Sequence, residues 1–459
     1  MIRETLSSYR DCFTGYTELR AQENTMQTIQ ILSGSVTANQ LVRTGGVSAR
    51  VQRGGAWGFS SNPSFSPDAV QSVLKAAAEN AAFLGKSCPD AQALPSDPGV
   101  GRHDMRSAAT QPTSQELLEL LRSLDDYMAR KYPDLLSRWV RLSRFDHEKN
   151  LITSDGSDSY FYLPQTHIYF SMTLQRDDGP VELMSRNNGG LGGAADLYAS
   201  PESLYREIDA LYENLRYKKE GIHPEAGVWD CILGPDLAGI LAHEAVGHTV
   251  EADLVRGGSV AGDLLHEQVA NERISIVDFA HTAFGERAPV PVYVDDEGTL
   301  ARDAVIIDRG ILKGYMHNKE SARSYGVSPC GNARGFAFSD EPLIRMRNTA
   351  ILPGQDKLED MLASMENGYY LCCPSNGQAD MTGEFMFGVT MGYEIRNGKR
   401  GRALLDTTVS GVAFDMLKTV TQVSDDVTWV SSGFCGKKQM MRVGMGGPAI
   451  RCKINMGGR

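Results

Sequence analysis

The sequence predicts an α+β protein, and three observations support this prediction. Strand-like segments punctuated by glycines fill residues 16–62 and 136–183, and helical segments separate them. The C-terminal half has one helix among many short strands and turns. A chain of 459 residues is long enough for two domains. We expect an N-terminal α+β domain over residues 1–222 and a C-terminal β-rich domain over residues 223–459.

The N-terminal domain is expected to combine an antiparallel meander with two helices. Tight glycine turns separate the first strand-like segments, as in consecutive hairpins. Ser66 can cap a helix that has Pro67 in its first turn and ends at Gly85. Thr113 and Glu116 have the spacing of a capping box, which predicts the start of the second helix.

The middle of the chain gives weaker signals. Residues 86–112 contain several Pro and Asp residues, which predict a loop. The glycine-dense stretch 187–198 predicts a flexible turn or hinge, because it contains neither the GK[ST] nor the GxGxxG pattern of a phosphate-binding loop. A helix is expected near residues 201–217, and the segment 218–227 is interpreted as the domain boundary. A strand at residues 227–234 opens the C-terminal domain.

Composition and charge exclude several classes of function. The formal net charge of −11 argues against nucleic acid as the main partner, because phosphate binding depends on Lys and Arg. No apolar run is long enough to span a bilayer, and the N-terminal segment does not resemble a secretory signal. The eight cysteines form no CxxC pair. We therefore expect reduced thiols, a cytoplasmic location and no membrane partner.

The motif with most chemical content is LAHEAVGHTVEADL, residues 241–254. In HExxH zinc proteases the two histidines lie four residues apart, on one helix face. Here His243 and His248 are five apart, which a regular helix would turn away from each other. A single π-turn would bring them back to one face, and Gly247 removes a side chain that would resist the distortion. We therefore predict a bulged or terminating helix at this point; the alternative is two ordinary buried histidines.

A catalytic zinc usually has three protein ligands and one open position. His243 and His248 supply two imidazoles, and spacing alone does not choose the third ligand. The candidates are Glu251, Asp253, His266, His281 and Cys435. Glu251 can equally orient a ligand from outside the site. Cys435 lies between glycines with Lys437 nearby to favour the thiolate, although a small buried hydrophobe is the alternative interpretation.

The residue beside the first histidine completes the motif. Glu244 has the position of a general base that takes a proton from water and passes it to the leaving amine. The alternative is an exposed helix carboxylate with no chemical role.

Several segments together resemble the TldD/PmbA family of metalloproteases. They occur in the family's order and at similar spacing, and they cover nearly the whole chain. These segments are VRTGGVSARVQRGGAWGFSS (42–61), DLAGILAHEAVGHTVEADL (236–254), VDDEGT (294–299), GILKGYMHNKESA (310–322), RMRNTAILPG (345–354) and FCGKKQ (434–439). The family commonly reads CGKxGQ in the last segment, whereas this chain has CGKKQM, one residue shorter and without the second glycine.

The resemblance implies a fuller site and an activity. It implies one zinc ion per chain bound by His243, His248 and Cys435, with Glu244 as the catalytic base. The family is associated with cleavage of unfolded or short polypeptides. A TldD-type subunit, which keeps the metal motif, pairs with a PmbA-type subunit that lacks it. This chain resembles the TldD type, so a homodimer or a heterodimer with a PmbA-type paralogue is expected.

Two other functions fit the same family. Older naming links it to modulation of DNA gyrase, so the alternative is a regulatory, protein-binding member with a structural zinc. An inactive subunit that steadies a partner is a third hypothesis. The presence of Glu244 argues against a structural zinc, since such a site has no use for a base. The full set of motif residues argues against an inactive subunit.

Overall fold

The computed structural model describes residues 6–86 and 93–458, and its N-terminal half forms one seven-stranded sheet. The strands of this sheet are β1 Tyr16–Leu32, β2 Ser35–Arg53, β3 Ala56–Asn62, β4 Val100–Asp104, β5 Ser137–Thr153, β6 Asp158–Arg176 and β7 Gly179–Leu191. The order is β3-β2-β1-β5-β6, and both β4 and β7 pair with β6, at its opposite ends. All neighbours are antiparallel except β4 and β6. The antiparallel meander is therefore confirmed in β1 to β3.

The helices of this half cover the sheet. They are α1 Pro67–Gly85, α2 Ser114–Lys131, α3 Ala194–Leu197 and α4 Tyr205–Lys219. Ser66 accepts a hydrogen bond from the backbone N–H of Ala69 at 3.2 Å, and Thr113 and Glu116 form a complete capping box. The two predicted helix starts are thus confirmed. The apolar face of α1 packs on β2 and β3, while α2 and α4 share a core with β5 and β6.

One prediction for this half is wrong, and another is only partly right. The stretch 187–198 is neither turn nor hinge, because its first residues continue β7 and pair with β6. Gly189 explains the error: its φ is 138°, and a Cβ there would lie 2.2 Å from the carbonyl oxygen of Thr166. The glycine allows close approach within a sheet. The predicted loop 86–112 is irregular over most of its described residues but contains β4, which is too short to show an alternating pattern. Residues 87–92 of this loop lie outside the described residues.

The C-terminal half consists of many short strands in several sheets. In chain order they are β8 Gly227–Leu233, β9 Ile276–Phe279, β10 Thr282–Ala283, β11 Glu286–Arg287, β12 Ala304–Asp308, β13 Ile311–Leu312, β14 Ala333–Arg334, β15 Leu343–Ile344, β16 Asn348–Ile351, β17 Asn367–Ala379, β18 Glu384–Arg396, β19 Lys399–Ala403, β20 Thr407–Val412, β21 Gln422–Val423, β22 Thr428–Val430, β23 Phe434–Cys435, β24 Met441–Arg442, β25 Gly444–Gly447 and β26 Ile450–Met456. Two larger sheets run β13-β12-β9-β16-β25-β22 and β17-β8-β26-β20-β18-β19, with β21 on β26. The remaining strands form two-stranded ladders.

Five short helices accompany these strands. They are α5 Pro235–Leu241, α6 Ala252–Arg256, α7 Lys319–Tyr325, α8 Leu358–Ala363 and α9 Ala413–Lys418. The first helix packs against β25, β22 and β17, so it lies between the two larger sheets. Gly239 allows this close packing, since a Cβ there would lie 3.1 Å from the backbone of Gly446. The helix that precedes the histidine motif is therefore held on both sides by the core.

Buried ion pairs join the first sheet to the C-terminal half. Arg50 Nη1 lies 2.6 Å from Glu297 Oε1, and Lys149 Nζ lies 2.5 Å from Asp296 Oδ2. Both carboxylates belong to the segment VDDEGT. All strands of the first sheet lie before residue 222 and all others after it, yet the domain boundary itself stays a prediction. Seven cysteines are free thiols, and Cys88 lies outside the described residues. In the described part of the chain, no helix has the length and hydropathy to cross a membrane.

Candidate active site

The histidine motif adopts a π-helix. Helix α5 continues into a π-helix at Ala242–Gly247 and then a 3-10 turn at His248–Val250. The wider turn brings residues five apart to one face, so the ring centroids of His243 and His248 lie 5.3 Å apart. The predicted distortion of the helix is confirmed. The spacing HExxxH is thus accommodated by backbone geometry.

A close contact fixes the end of the π-helix. A Cβ on Gly247 would lie 2.0 Å from Sδ of Met346, a side chain that is itself buried. Any larger residue at position 247 would displace Met346 or the helix. The glycine therefore makes room for a neighbour as well as for the π-turn.

Three potential metal ligands, two of them from this distorted helix, lie close together. The ligand atoms of His243, His248 and Cys435 lie within 4.8 Å of one another. Sγ of Cys435 is 3.3 Å from Nε2 of His248, close to the ~3.5 Å that separates two ligands of a tetrahedral zinc. His243 is fully buried, and neither of its ring nitrogens has a hydrogen-bond partner among the described residues. Buried unpartnered nitrogens are destabilising, and a bound metal ion would satisfy one of them.

The other candidates for the third ligand lie outside this group of three. Glu251 is fully buried, and its Oε2 accepts a hydrogen bond from Nδ1 of His248 at 2.8 Å. Glu251 therefore orients the His248 ring through Nδ1, the nitrogen that does not face Cys435. This is the orienting role that the sequence left open for Glu251. Asp253 instead forms an ion pair with Lys437 at 2.7 Å. The same Lys437 Nζ lies 3.3 Å from Oε2 of Glu251. The sequence predicts Lys437 beside the thiol of Cys435, but its ion pairs are with these two carboxylates.

Two histidines proposed as ligands lie elsewhere on the molecule. His266 is exposed, with a positive φ of 71° in a turn. The ring of His281 stacks on Tyr293, with centroids 4.6 Å apart.

The contacts in the site shift two pKa values in opposite directions. Burial alone would raise the pKa of the Cys435 thiol, but the adjacent imidazoles of His243 and His248 lower it to about 3. Burial alone would lower the pKa of His248, but Cys435 and Glu251 raise it to about 10. In the absence of metal, these two side chains therefore form a thiolate–imidazolium pair. The thiolate is the form of cysteine that binds metals.

A buried arginine to which the sequence motifs give no role holds the cysteine in place. Arg345 is fully buried, and its Nη2 donates to the carbonyl oxygen of Cys435 at 2.9 Å. Its Nη1 donates to the carbonyl oxygens of Gln439 at 2.7 Å and Lys437 at 3.2 Å. One guanidinium thus fixes the whole loop that follows β23. The only signal in the sequence is its place at the start of the segment RMRNTAILPG.

Glu244 lies between this cluster and a cleft. Its Oε2 is 3.5 Å from Nε2 of His248, and its side chain is 23% exposed. The cleft has a volume of about 690 Å³ and is lined by β7, α4, β17 and the segment 430–434. Among the described residues, β7 forms its ladder with β6 alone, and Cys373, Pro374 and Gly377 of β17 pair with β18. Stretches of β7 and β17 therefore line the space beside Glu244.

Comparisons with known proteins give consistent results. Residues 226–458 match the model of the PmbA/TldA metallopeptidase C-terminal domain, and residues 17–81 match that of the PmbA/TldA metallopeptidase domain 1. The chain is 29% identical to a metalloprotease of Methanothermobacter thermautotrophicus, over 96% of this chain and 95% of that protein. It is 30% identical to a zinc metalloprotease TldD homolog of Saccharolobus solfataricus, over 73% and 72% of the two chains.

A solved structure shares the fold. The crystal structure of TldE from Thermococcus kodakarensis superposes with a TM-score of 0.77, covers 98% of each chain and is 17% identical. At this identity the likeness concerns the fold alone.

Proposed function

Since the chain belongs to the TldD/PmbA family and is a metalloprotease, we propose that it hydrolyses peptide bonds in unfolded or short polypeptides with one zinc ion per chain. The observation that carries this proposal is the arrangement around His243. Its two unpartnered nitrogens lie beside a thiolate and a second imidazole, next to a carboxylate that faces a cleft.

The donor set fits zinc. Two imidazoles and one thiolate favour zinc over calcium or magnesium, which prefer oxygen ligands. His243, His248 and Cys435 would hold the ion, and only these three ligand residues gather in the described part of the chain. Three protein ligands leave a position open, as in catalytic sites, whereas structural sites have four. This supports a catalytic zinc over the regulatory alternative.

A zinc ion held there would polarise the scissile carbonyl and lower the pKa of water. Glu244 would take a proton from that water, a role supported by the position of its carboxylate between His248 and the cleft. It would then give the proton to the amine of the leaving peptide. Glu251 keeps the ring of His248 oriented, and Arg345 keeps Cys435 in position.

The cleft supports extended peptides as substrates. An extended chain can add to an open strand edge, so that main-chain hydrogen bonds supply affinity with little sequence preference. Strand β7, which among the described residues has a ladder partner only in β6, lines one side of the cleft, and residues 373–377 line the other. A folded protein keeps its main-chain groups paired and cannot add in this way. Unfolded or short polypeptides therefore fit best.

We also propose a dimer, either of two copies or with a PmbA-type paralogue. The distal part of the β1–β2 hairpin has exposed apolar side chains, among them Leu41 at 55% and Val42 at 49%. Over residues 35–46, β2 pairs with β1 alone among the described residues, whereas β3 covers the rest of its outer edge. An exposed apolar edge strand supports association with another chain. A cytoplasmic location fits the free thiols.

The test is cleavage of an unfolded polypeptide by the zinc-loaded protein. Glu244→Gln keeps the size of the side chain and removes the base, so we expect cleavage to fall at least ~100-fold. Exposed Glu272→Gln is the matched control and should cleave like wild type. Equal cleavage by wild type and Glu244→Gln would overturn the role of Glu244. The same polypeptide in a disulfide-locked folded form should resist cleavage.

A further inference from the structure

Lys437 has no role in the reaction proposed above, yet its side chain ends beside the three potential metal ligands. It lies two residues after Cys435, and only 9% of its side chain is exposed. Its Nζ lies 3.3 Å from Oε2 of Glu251 and 2.7 Å from Oδ2 of Asp253. It also donates to the carbonyl oxygen of Ile344 at 3.2 Å. Three acceptors therefore hold this ammonium group in one place.

The carboxylate of Glu251 needs a positive partner. Glu251 is fully buried, and its Oε1 has no hydrogen-bond partner among the described residues. Within that part of the chain, its ion pairs are with His248 and Lys437 alone. A histidine binds a metal ion as the neutral imidazole, so Lys437 is then the charged side chain that remains paired with Glu251. A buried carboxylate without a counter-charge is strongly unfavourable.

The position of Glu251 decides how the ring of His248 is directed. Oε2 of Glu251 accepts the hydrogen bond from Nδ1 of the ring at 2.8 Å, and Lys437 contacts the same oxygen. The opposite nitrogen of the ring, Nε2, lies 3.3 Å from Sγ of Cys435. A carboxylate that turned away from the ring would release it from this direction.

We infer that Lys437 is a positioning residue: its ammonium holds Glu251 against the ring of His248 and thereby sets the affinity of the site for zinc. The inference rests on the proposed zinc site and is independent of peptide cleavage. Because Lys437 belongs to the loop that follows Cys435, one loop supplies a thiolate ligand and also orients an imidazole ligand. Arg345 anchors this loop, since its Nη1 donates to the carbonyl oxygen of Lys437 at 3.2 Å.

Two other roles for this lysine have less support. In the described part of the chain, the hydrogen bonds and ion pairs of its Nζ go to two carboxylates and one carbonyl oxygen, and none goes to Sγ of Cys435. The pair with Asp253 lies near the surface, because 40% of the Asp253 side chain is exposed, and such pairs contribute little. The buried contact with Glu251 therefore carries the inference.

The first test measures zinc affinity by chelator competition, which needs no catalysis. We expect Lys437→Met to lower the affinity by about 10–100-fold, as loss of a partner behind a metal ligand does. Lys437→Arg should retain most of the affinity, because it keeps the positive charge. Lys438→Met makes the same change at the neighbouring exposed lysine and should bind zinc like wild type. Wild-type affinity in Lys437→Met overturns the inference.

The second test asks whether Lys437 acts through Glu251. In the Glu251→Gln background, Lys437→Met should change zinc affinity by less than about threefold, because no carboxylate charge remains to be held. Equal losses in both backgrounds would mean that the lysine acts on the thiolate or on the loop, and overturn the inference. If Lys437→Met folds only together with Glu251→Gln, the inference stands. If it folds in neither background, the lysine is merely structural and the inference falls.

A third measurement reports ligand geometry directly. Cobalt(II) in place of zinc has an absorption spectrum that depends on the number and arrangement of its ligands. At saturating cobalt, Lys437→Met should alter this spectrum, while Lys437→Arg and Lys438→Met should keep it. An unaltered spectrum in Lys437→Met contradicts the positioning role.

The outcomes separate this inference from the proposed function. A wild type that binds zinc but cleaves no polypeptide removes the proposed function and leaves the role of Lys437 standing. Wild-type zinc affinity and cleavage in Lys437→Met remove the role of Lys437 and leave the function standing. A wild type that binds no zinc overturns both.

Discussion

Glu251 accepts a hydrogen bond from Nδ1 of His248 at 2.8 Å, while Nε2 of the same ring lies 3.3 Å from Sγ of Cys435. A carboxylate behind a metal-binding histidine fixes the tautomer and the direction of the coordinating nitrogen. Glu251 is fully buried, so its position is set by the core rather than by solvent. The site thus has a second layer of residues that the three ligands depend on.

Replacement of Glu251 should weaken zinc binding without removing a ligand. We expect Glu251→Gln to lower zinc affinity by about 10–100-fold, because the amide orients the ring but carries no charge. A chelator competition with purified protein measures this. Asp253→Asn, which also removes a partner of Lys437, is the control and should bind zinc nearly as well as wild type. Equal affinity of the Glu251 variant and wild type contradicts the orienting role.

Substitution of Gly247 should destabilise the π-helix. In Gly247→Ala the new methyl group would collide with Sδ of Met346, and we expect a loss of about 1–3 kcal/mol in the free energy of unfolding. Denaturant unfolding of the metal-free protein measures the loss. The double variant with Met346→Ala should lose less than the sum of the single variants, since it removes the collision. Additive losses would place the strain in the backbone instead.

Zinc binding should release one proton from the pair formed by His248 and Cys435. The pKa of Cys435 is lowered to about 3, so the thiol has already lost its proton above that pH. The pKa of His248 is raised to about 10, so its ring is protonated below that pH. At pH 7–9 only His248 gives up a proton to zinc, and its contribution to affinity rises about tenfold per pH unit. Calorimetry in buffers of different ionisation enthalpy counts the protons, with His248→Ala as control; two protons from the pair contradict this assignment.

The loop after Cys435 stores strain at Lys438. Its φ is 56°, in the left-handed region that favours glycine, and the family pattern has a glycine near this point. Lys438→Gly should stabilise the protein by about 0.5–1 kcal/mol, because relief of strain exceeds the entropy that glycine loses on folding. Thermal unfolding measures this, and Lys438→Ala should give no gain. A destabilised glycine variant would show that the Lys438 side chain itself stabilises the loop.

Local chemistry accounts for what could be predicted from the sequence. Ser66, Thr113 and Glu116 determine helix starts within a few residues, so the capping patterns were sufficient. The distortion at Gly247 followed from the spacing of two histidines and one small residue. These predictions needed no knowledge of distant contacts.

Long-range contacts account for what could not be predicted. The glycine-dense stretch around Gly189 resembles a hinge until β6 lies beside it. Arg345 acts on Cys435 across 90 residues, a contact that forms only when the chain folds. The grouping of His243, His248 and Cys435 likewise depends on the fold, which brings Cys435 in β23 close to the two histidines of the π-helix region. Spacing alone left five candidates for the third ligand.

The most direct measurement is the zinc content of purified wild type, Cys435→Ala and Glu244→Gln, with peptide cleavage assayed on the same samples. We expect about one zinc per chain in wild type, loss of both zinc and cleavage in Cys435→Ala, and retained zinc without cleavage in Glu244→Gln. Full zinc content in Cys435→Ala would contradict the assignment of Cys435 as the third ligand. Cleavage by Glu244→Gln at the wild-type rate would contradict the role of Glu244 as general base.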